Sequence, residues 1–359
     1  MEKIEKIEKM ENIKVSLYGG SHENAVGVRI IGVPKGTSID TAAIDSLLNR
    51  RRAKKAVWST PRLEADEYTF LCGVQDGVAT GEEIVAEIKN SNTKSGDYPK
   101  YIPRPSHADY AAYIKDGARE IAPGGGRFSG RLTAPLCIAG GIAKGILAEK
   151  GIRVLAYVKE IGGVVGKGYA DGVTAEEIIL AQDTPPYSVT DGEVMLKAAE
   201  AARLSGDSVG GAVECIVSGM PVGIGDFYTA GIESAIAYEL FGVPAVKAVE
   251  FGLGTGFSKA FGSEVNDPFR FEDGKVITAT NNSGGVNGGI SNGMPITFRA
   301  TLRPTPSISK PELSVDLSTG ENVVLNLRGR HDACIVPRAA AAIEAAAAIA
   351  VWKLISEEA

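Results

Sequence analysis

APLCIAGGIAKGILAEKG, residues 134–151, decides how this chain packs. Its side chains are mostly small and apolar, so it reads as a buried helix whose Ala and Gly residues let neighbours approach closely. A second such stretch, RAAAAIEAAAAIAVWKLI at 338–355, closes the chain as a strong helix. Around these two lie shorter signals. KVSLYGG (14–20), VGVRIIGVP (26–34) and YTFLCGV (68–74) read as strands with Gly/Pro punctuation. SIDTAAIDSLLNRRRAKK (38–55) reads as a helix, with Ile44, Leu47 and Leu48 on one face and a basic last turn that suits the helix dipole. The second half repeats this rhythm. Helices are expected at 193–204 and 229–242, and strands at 211–221, 245–252 and 295–302. The class is α/β or α+β, and periodicity alone gives no strand order.

The 359 residues allow a large core, and hydrophobic residues at 44% with charged residues at 23% are ordinary for a globular chain. Forty-four glycines and only 6% aromatics point to turns and close backbone approaches. A net charge of −6 argues against nucleic acid as the main partner. Cys72, Cys137, Cys215 and Cys334 are widely spaced with no C-x-x-C pair, so buried free thiols in a reducing cytoplasm are expected rather than a metal cluster. No apolar run is read as long enough to span a membrane, and MEKIEKIEKMENIK (1–14) carries no apolar signal core. Residues 1–13 are read as a frayed extension and 14–359 as a single domain.

The three histidines stand in GSHE, PSHAD and RHDAC, all in Gly- or Pro-shaped loops beside Ser or Asp. One loop histidine is usually a solvated bystander. Three of three shift the balance toward proton handling near neutral pH. Arginines gather in the same loops: RRRAKK (50–55), Arg62, Arg104, Arg127, Arg131, Arg303, Arg328, Arg330 and Arg338. A basic helix end can be a solvated turn, or it can be an anion site, for which the planar guanidinium fork is suited. PGGGRFSGR (123–131) and NNSGGVNGGISNG (281–293) could be tight turns or backbone cradles for an anion or a flat ring. GLGTG (252–256) lacks the dinucleotide-binding spacing, and no phosphate-loop motif exists. A serine hydrolase lacks its G-x-S-x-G elbow, and a three-histidine metal site lacks helical spacing.

Taken in order, these blocks resemble the chorismate synthases. GGSHENAVGVRIIGVPKG (19–36), RRRAKKAVWSTPR (50–62), RPSHADY (104–110), GGGRFSGRLTA (124–134), NNSGGVNGGISNG, RPTPSIS (303–309) and GRHDACIVPRAAAAIEA (329–345) match the family's segments with plausible spacing, from about Lys14 to the C-terminal helix. The resemblance implies an α+β fold, a β-α-β sandwich with helices between two antiparallel sheets, assembled as a cytoplasmic homotetramer. It implies a lyase of aromatic amino acid biosynthesis. That enzyme converts 5-enolpyruvylshikimate 3-phosphate to chorismate by 1,4-elimination of phosphate and a C6 proton, with reduced FMN (FMNH2). An external flavin reductase, drawing on NADPH, would supply the reduced flavin.

By the same resemblance, His22 assists the leaving phosphate, His107 protonates or hydrogen-bonds the reduced flavin near N1, and Asp332 with Ser21 forms a relay at flavin N5. Arg51, Arg131 and Arg338 bind substrate anions. Arg127, Ser129, Ala245, Gly288, Arg303, Thr305, Ser307 and Arg330 line the FMN site. Some positions depart from the family pattern. Gly20 and Glu23 stand where Glu and Gly are usual. Ala53-Lys54-Lys55-Ala56-Val57 replaces a Pro-Gly-Gln segment that a basic residue follows. Val57 cannot bind an anion as that basic residue would, so Lys54 or Lys55 is expected to do so instead. Leu132 replaces a Glu and Pro244 an Asn, while Arg303 keeps a lysine's charge. Glu23 is expected to point away from the anion pocket. The alternative reading is a diverged relative that binds flavin or a phosphorylated ligand without turnover.

Overall fold

The structure is a computed structural model that describes residues 13–54, 56, 58–59, 64–91, 98–327 and 332–357. Residues 1–12 of the expected N-terminal extension, Lys55, Val57, Arg62, Arg328, Arg330 and His331 therefore lie outside the described residues, while Ile13 is buried in the core.

The first half runs β1 (Lys14–Gly19), β2 (Ala25–Ile31), α1 (Thr41–Arg51), β3 (Tyr68–Cys72), the short pair β4 (Val74–Gln75) and β5 (Val78–Ala79), β6 (Ile84–Lys89), α2 (Asp109–Asp116) and α3 (Thr133–Glu149). The middle runs β7 (Arg153–Ile161), β8 (Val164–Val165), α4 (Ala175–Ala181), α5 (Gly192–Leu204), β9 (Gly211–Ser218), α6 (Ile232–Phe241), β10 (Val246–Phe251) and α7 (Gly262–Val265). The last part holds the hairpin β11 (Phe269–Glu272) and β12 (Lys275–Thr278), the pair β13 (Val286–Asn287) and β14 (Ile290–Ser291), and β15 (Ile296–Leu302). The hairpin β16 (Glu312–Asp316) and β17 (Glu321–Leu325) and then α8 (Val336–Glu357) follow.

Two antiparallel sheets result, ordered β1-β2-β6-β3 and β10-β15-β9-β7-β8. Helices α1, α3 and α8 fill the space between them: α3 packs on β2 and β6, and α8 on β7 and β9. This is the α+β sandwich expected above. The glycines of the opening stretch set how closely the helices meet. A Cβ on Gly140 would lie 2.3 Å from Ala345 Cβ in α8, and one on Gly141 would lie 2.6 Å from Ile44 Cα in α1. Glycine at these two positions is what lets three helices share one layer.

Helix α8 carries one polar residue into that layer, the fully buried Glu344. Its carboxylate accepts from Arg50 Nη2 at 2.7 Å, Gln182 Nε2 at 2.7 Å and the Ala156 backbone N–H at 2.8 Å, and it also pairs with Lys144. One charge thus ties α1, α3, β7 and the end of α4 to the central helix. The adjoining cations hold the Glu344 carboxyl down at about 2, against the burial that opposes its charge.

Two expectations need correction. Helix α8, 22 residues long, and the segment Pro123–Glu149 reach the length and apolar composition of a membrane span, although the sequence reading finds no run that does. Their apolar surface is turned into the protein, because both are interior helices covered by sheets. Of the four cysteines, Cys137, Cys215 and Cys334 are buried free thiols as expected, but Cys72 is exposed because it ends β3, the edge strand of the first sheet.

Candidate active site

The first corner of the site is the turn between β1 and β2. Ser21 is buried, and its hydroxyl donates to the Gly124 carbonyl at 3.1 Å. That spends its proton, so its oxygen accepts from Nδ1 of His22, also 3.1 Å away. The Ser21 backbone N–H donates to the Gly126 carbonyl at 3.2 Å. Gly124, Gly125 and Gly126 all have positive φ, and a Cβ on Gly124 would sit 2.2 Å from His22 Cε1. The triple-glycine loop is therefore shaped around the histidine. Glu23 is exposed, and its Oε1 folds back to 2.7 Å from where a Cβ on Gly20 would stand. Its carboxylate thus fills the space that a side chain at position 20 would occupy.

The second corner is the loop before α2. His107 is half-buried, and its Nδ1 lies 3.0 Å from the Pro105 carbonyl. A carbonyl only accepts, so Nδ1 carries the ring proton and Nε2 accepts from the Ser307 hydroxyl at 3.0 Å. Burial, with the Arg104 and Arg303 cations, pushes the His107 imidazole down to about 4, so it is neutral at pH 7. Arg303 donates its backbone N–H to the Ala245 carbonyl at 3.0 Å, and Ala245 holds a left-handed φ of 77°. Ser208 Oγ donates to the Thr305 carbonyl at 2.6 Å. The Ser314 hydroxyl of β16 donates to the Pro103 carbonyl, so the β16–β17 hairpin buttresses this loop.

The third corner is a buried arginine–carboxylate cluster. Arg51 donates to Asp66 at 2.8 Å, to Thr133 Oγ1 at 3.0 Å and to the Gly130 carbonyl at 3.1 Å. Arg131 pairs with the other oxygen of Asp66, approaches Glu64 at 3.4 Å and donates to Asn90 Oδ1 at 2.9 Å. The two guanidinium groups hold the Asp66 carboxyl below the usual carboxylate range, against its burial. Arg338 donates to Asp332 at 2.7 Å and to the Arg51 carbonyl at 3.0 Å.

Two side chains join the corners. Asn90 donates to the carbonyls of Gly20 and Glu23, at 3.0 and 2.8 Å, while accepting from Arg131. Tyr98 stands between His22 and Arg104, with 5.2 Å separating it from each. Ser21, His22, His107, Ser307, Arg51, Arg131, Arg338 and Asp332 thus belong to one continuous region. Ser129 joins it too, accepting from the Arg131 backbone N–H at 3.3 Å.

Arg127 and Gly288 lie on two glycine-rich loops. Arg127 is exposed and forms a two-pronged pair with Asp116, at 2.8 and 2.9 Å. Gly288 lies on the β13–β14 turn with a left-handed φ of 63°. Lys54 donates Nζ to Asn49 Oδ1 at 2.7 Å. Asn90, Tyr98 and Asp66 escape the sequence reading because none of them lies next to a histidine or in an arginine run, while Asp109 stands inside the PSHAD block with no role read for it.

Fit to a flavin can be judged from buried polar atoms. Arg303 Nε and Thr305 Oγ1 are buried and have no hydrogen-bond partner. Such atoms cost about 1–3 kcal/mol each when left unpaired. They flank the Ser307–His107 pair and the strained Ala245, so this corner offers donors and an acceptor for an anionic, hydrogen-bonding cofactor.

Comparison with known proteins bears on the same region. The family model described as chorismate synthase matches residues 13–355. The chorismate synthase of Thermococcus kodakarensis is 44% identical over 343 residues, covering 94% of each chain. That of Aeropyrum pernix is 42% identical, covering 96% of this chain and 91% of the relative. A crystal structure of chorismate synthase superposes with a TM-score of 0.75 at 24% identity, covering 97% of this chain and 93% of the other, which supports the fold.

Proposed function

The chain belongs to the chorismate synthase family, and from that premise we propose that it converts 5-enolpyruvylshikimate 3-phosphate to chorismate and phosphate with reduced FMN. The observation that carries the reading is the continuous region in which two oriented histidines flank arginine-rich walls. The elimination breaks a C–O bond to phosphate and a C–H bond at C6, and leaves no net change of oxidation state. A reduced flavin, when bound, supplies electron density to the electron-poor stage of that elimination.

The residues of this chain bind, orient and move protons. Arg303, Thr305 and Ser307 would hold the cofactor, with Ala245 and Ser129 shaping its surroundings. His107 presents an unprotonated Nε2, kept so by burial and by Arg104 and Arg303, which can take up a proton once an anion is bound against it. His22, aimed through Nδ1 by Ser21, would deliver a proton to the departing phosphate. Asp332 is oriented by Arg338 and would serve as a proton acceptor. Arg51 and Arg131 already hold Asp66 in common, so substrate anions would meet them through donors that this carboxylate leaves over.

We propose further that the protein is a cytoplasmic homotetramer supplied with reduced flavin by an external reductase. The exposed aromatic rings of Phe227, Tyr228, Tyr238, Phe261, Phe269 and Phe271 support burial between copies. Anaerobic turnover with reduced or oxidised FMN tests the reading. Chorismate should form only with reduced FMN, and His107→Ala should lower turnover by about 10²-fold or more. Turnover indifferent to the flavin's oxidation state would reject the assignment. Ligand binding by calorimetry without any product would favour the diverged binding relative.

A further inference from the structure

We propose that Tyr98 is a positioning residue for the reaction, a ring through which the Asp109–Arg104 anchor fixes the plane of His22. The inference rests on the role of His22 given above. Its first link is Asp109, whose carboxylate accepts three hydrogen bonds from one residue. Arg104 donates its backbone N–H at 3.1 Å and Nε at 2.7 Å to Oδ2, and Nη2 at 2.8 Å to Oδ1. Both side chains are buried, 7% and 2% exposed, so the guanidinium has one plane and one place.

The second link is the aromatic ring. The Arg104 guanidinium carbon lies 5.2 Å from the Tyr98 ring centroid, within the range of a cation held on a π face. The third link is the contact between Tyr98 and His22, with ring centroids 5.2 Å apart and planes at 83°. Edge-to-face pairs have a defined preferred geometry, so a fixed Tyr98 fixes the imidazole.

Tyr98 acts on the ring from a different direction. The Ser21 hydroxyl bonds one ring nitrogen, whereas Tyr98 meets the imidazole through its aromatic edge. The Gly124 backbone limits tilting of the ring on the side it occupies. Tyr98 supplies an independent contact from a segment some seventy residues away from His22 in the chain. It also interposes a neutral ring between Arg104 and His22, so the guanidinium can be anchored close by without touching an imidazole that must carry a proton.

Four variants test the clamp: Tyr98→Phe, Tyr98→Leu, Asp109→Asn and the Leu/Asn double. Two readouts are taken, steady-state kinetics and the imidazole NMR signal of His22 in protein carrying 13C-labelled histidine. With only three histidines, His22→Gln assigns the signal. Tyr98→Leu is expected to lower kcat about ten- to a hundredfold while KM changes less than about twofold, and Tyr98→Phe is expected to restore most of kcat. Asp109→Asn should move the His22 signal although Asp109 does not touch it, and the double variant should be no worse than the poorer single one. Circular dichroism checks that each variant folds. Tyr98→Leu matching Tyr98→Phe in kcat, or a His22 signal unmoved by Asp109→Asn, would overturn the proposal. If the wild-type protein makes no chorismate, the functional reading falls separately, and the His22 signal still decides for or against the clamp.

Discussion

Gly124→Ala should disable His22 without touching it chemically. The new Cβ would stand 2.2 Å from His22 Cε1, 2.5 Å from Nδ1 and 3.1 Å from Ser21 Oγ. Non-bonded carbons settle at about 3.5 Å or more, so the imidazole must retreat by about 1.3 Å. The Ser21–His22 hydrogen bond, already 3.1 Å, does not survive such a move. Misplacing a reacting group by about 1 Å costs on the order of 10²-fold in rate, which is about 2.7 kcal/mol of barrier. A second cost falls on the fold. Gly124 has φ of 62°, and an alanine in the left-handed region is about 1–2 kcal/mol less stable. The expected result is a kcat about 10²-fold lower, an unfolding free energy in urea lower by about 1–2 kcal/mol, and FMN affinity within about twofold of wild type, since the His107 corner is untouched. Anaerobic turnover, urea unfolding and FMN titration measure the three quantities. A folded Gly124→Ala protein with kcat within about threefold of wild type would refute the claim that this loop holds His22 in its working place.

Four further outcomes follow from the packing and the charges. Gly141→Ala should cost about 1–3 kcal/mol in urea unfolding, because its Cβ meets the Ile44 backbone, which cannot move aside, as well as its side chain. Gly262→Ala, with open space at that position, should change stability by less than about 0.5 kcal/mol. Glu344→Ala should cost about 3–5 kcal/mol, because Arg50 and Lys144 lose their buried counter-charge. Acid should destabilise the protein between about pH 6.5 and 4: the His107 imidazole stays neutral down to about 4 in the fold but takes a proton near 6.5 when unfolded, so the unfolded chain binds more protons in that window. That contribution, about 3 kcal/mol, is complete above pH 6.5, and His107→Gln should flatten the slope in a pH series of melts.

Much of the fold is legible in the sequence because local chemistry and burial agree there. The glycines at 140 and 141 announce close helix contacts, and the structure shows which helices they meet. Strand β7 is harder to read because it is covered on both sides. Val154, Ala156 and Val158 face the main core, while Leu155 and Tyr157 lie under Val173 and Ile178. No apolar–polar alternation remains to mark it as a strand. The histidine loops are legible as chemistry, since Ser and Pro neighbours already limit where each ring can go. Their partners are not. Asp66, Tyr98 and Asn90 reach the site only through tertiary contacts, and nothing at their own positions in the chain distinguishes them from surface polar residues. The acid at position 23 shows the same limit: its sequence place differs from the family pattern, yet its carboxylate folds back over Gly20.

The most direct test is a single turnover under anaerobic conditions, with reduced FMN and 5-enolpyruvylshikimate 3-phosphate in amounts equal to the protein, quenched and analysed for chorismate, phosphate and flavin state. Equal amounts of chorismate and phosphate are expected, with the flavin recovered reduced. Substrate recovered intact from a protein that has bound both ligands would contradict the proposed reaction.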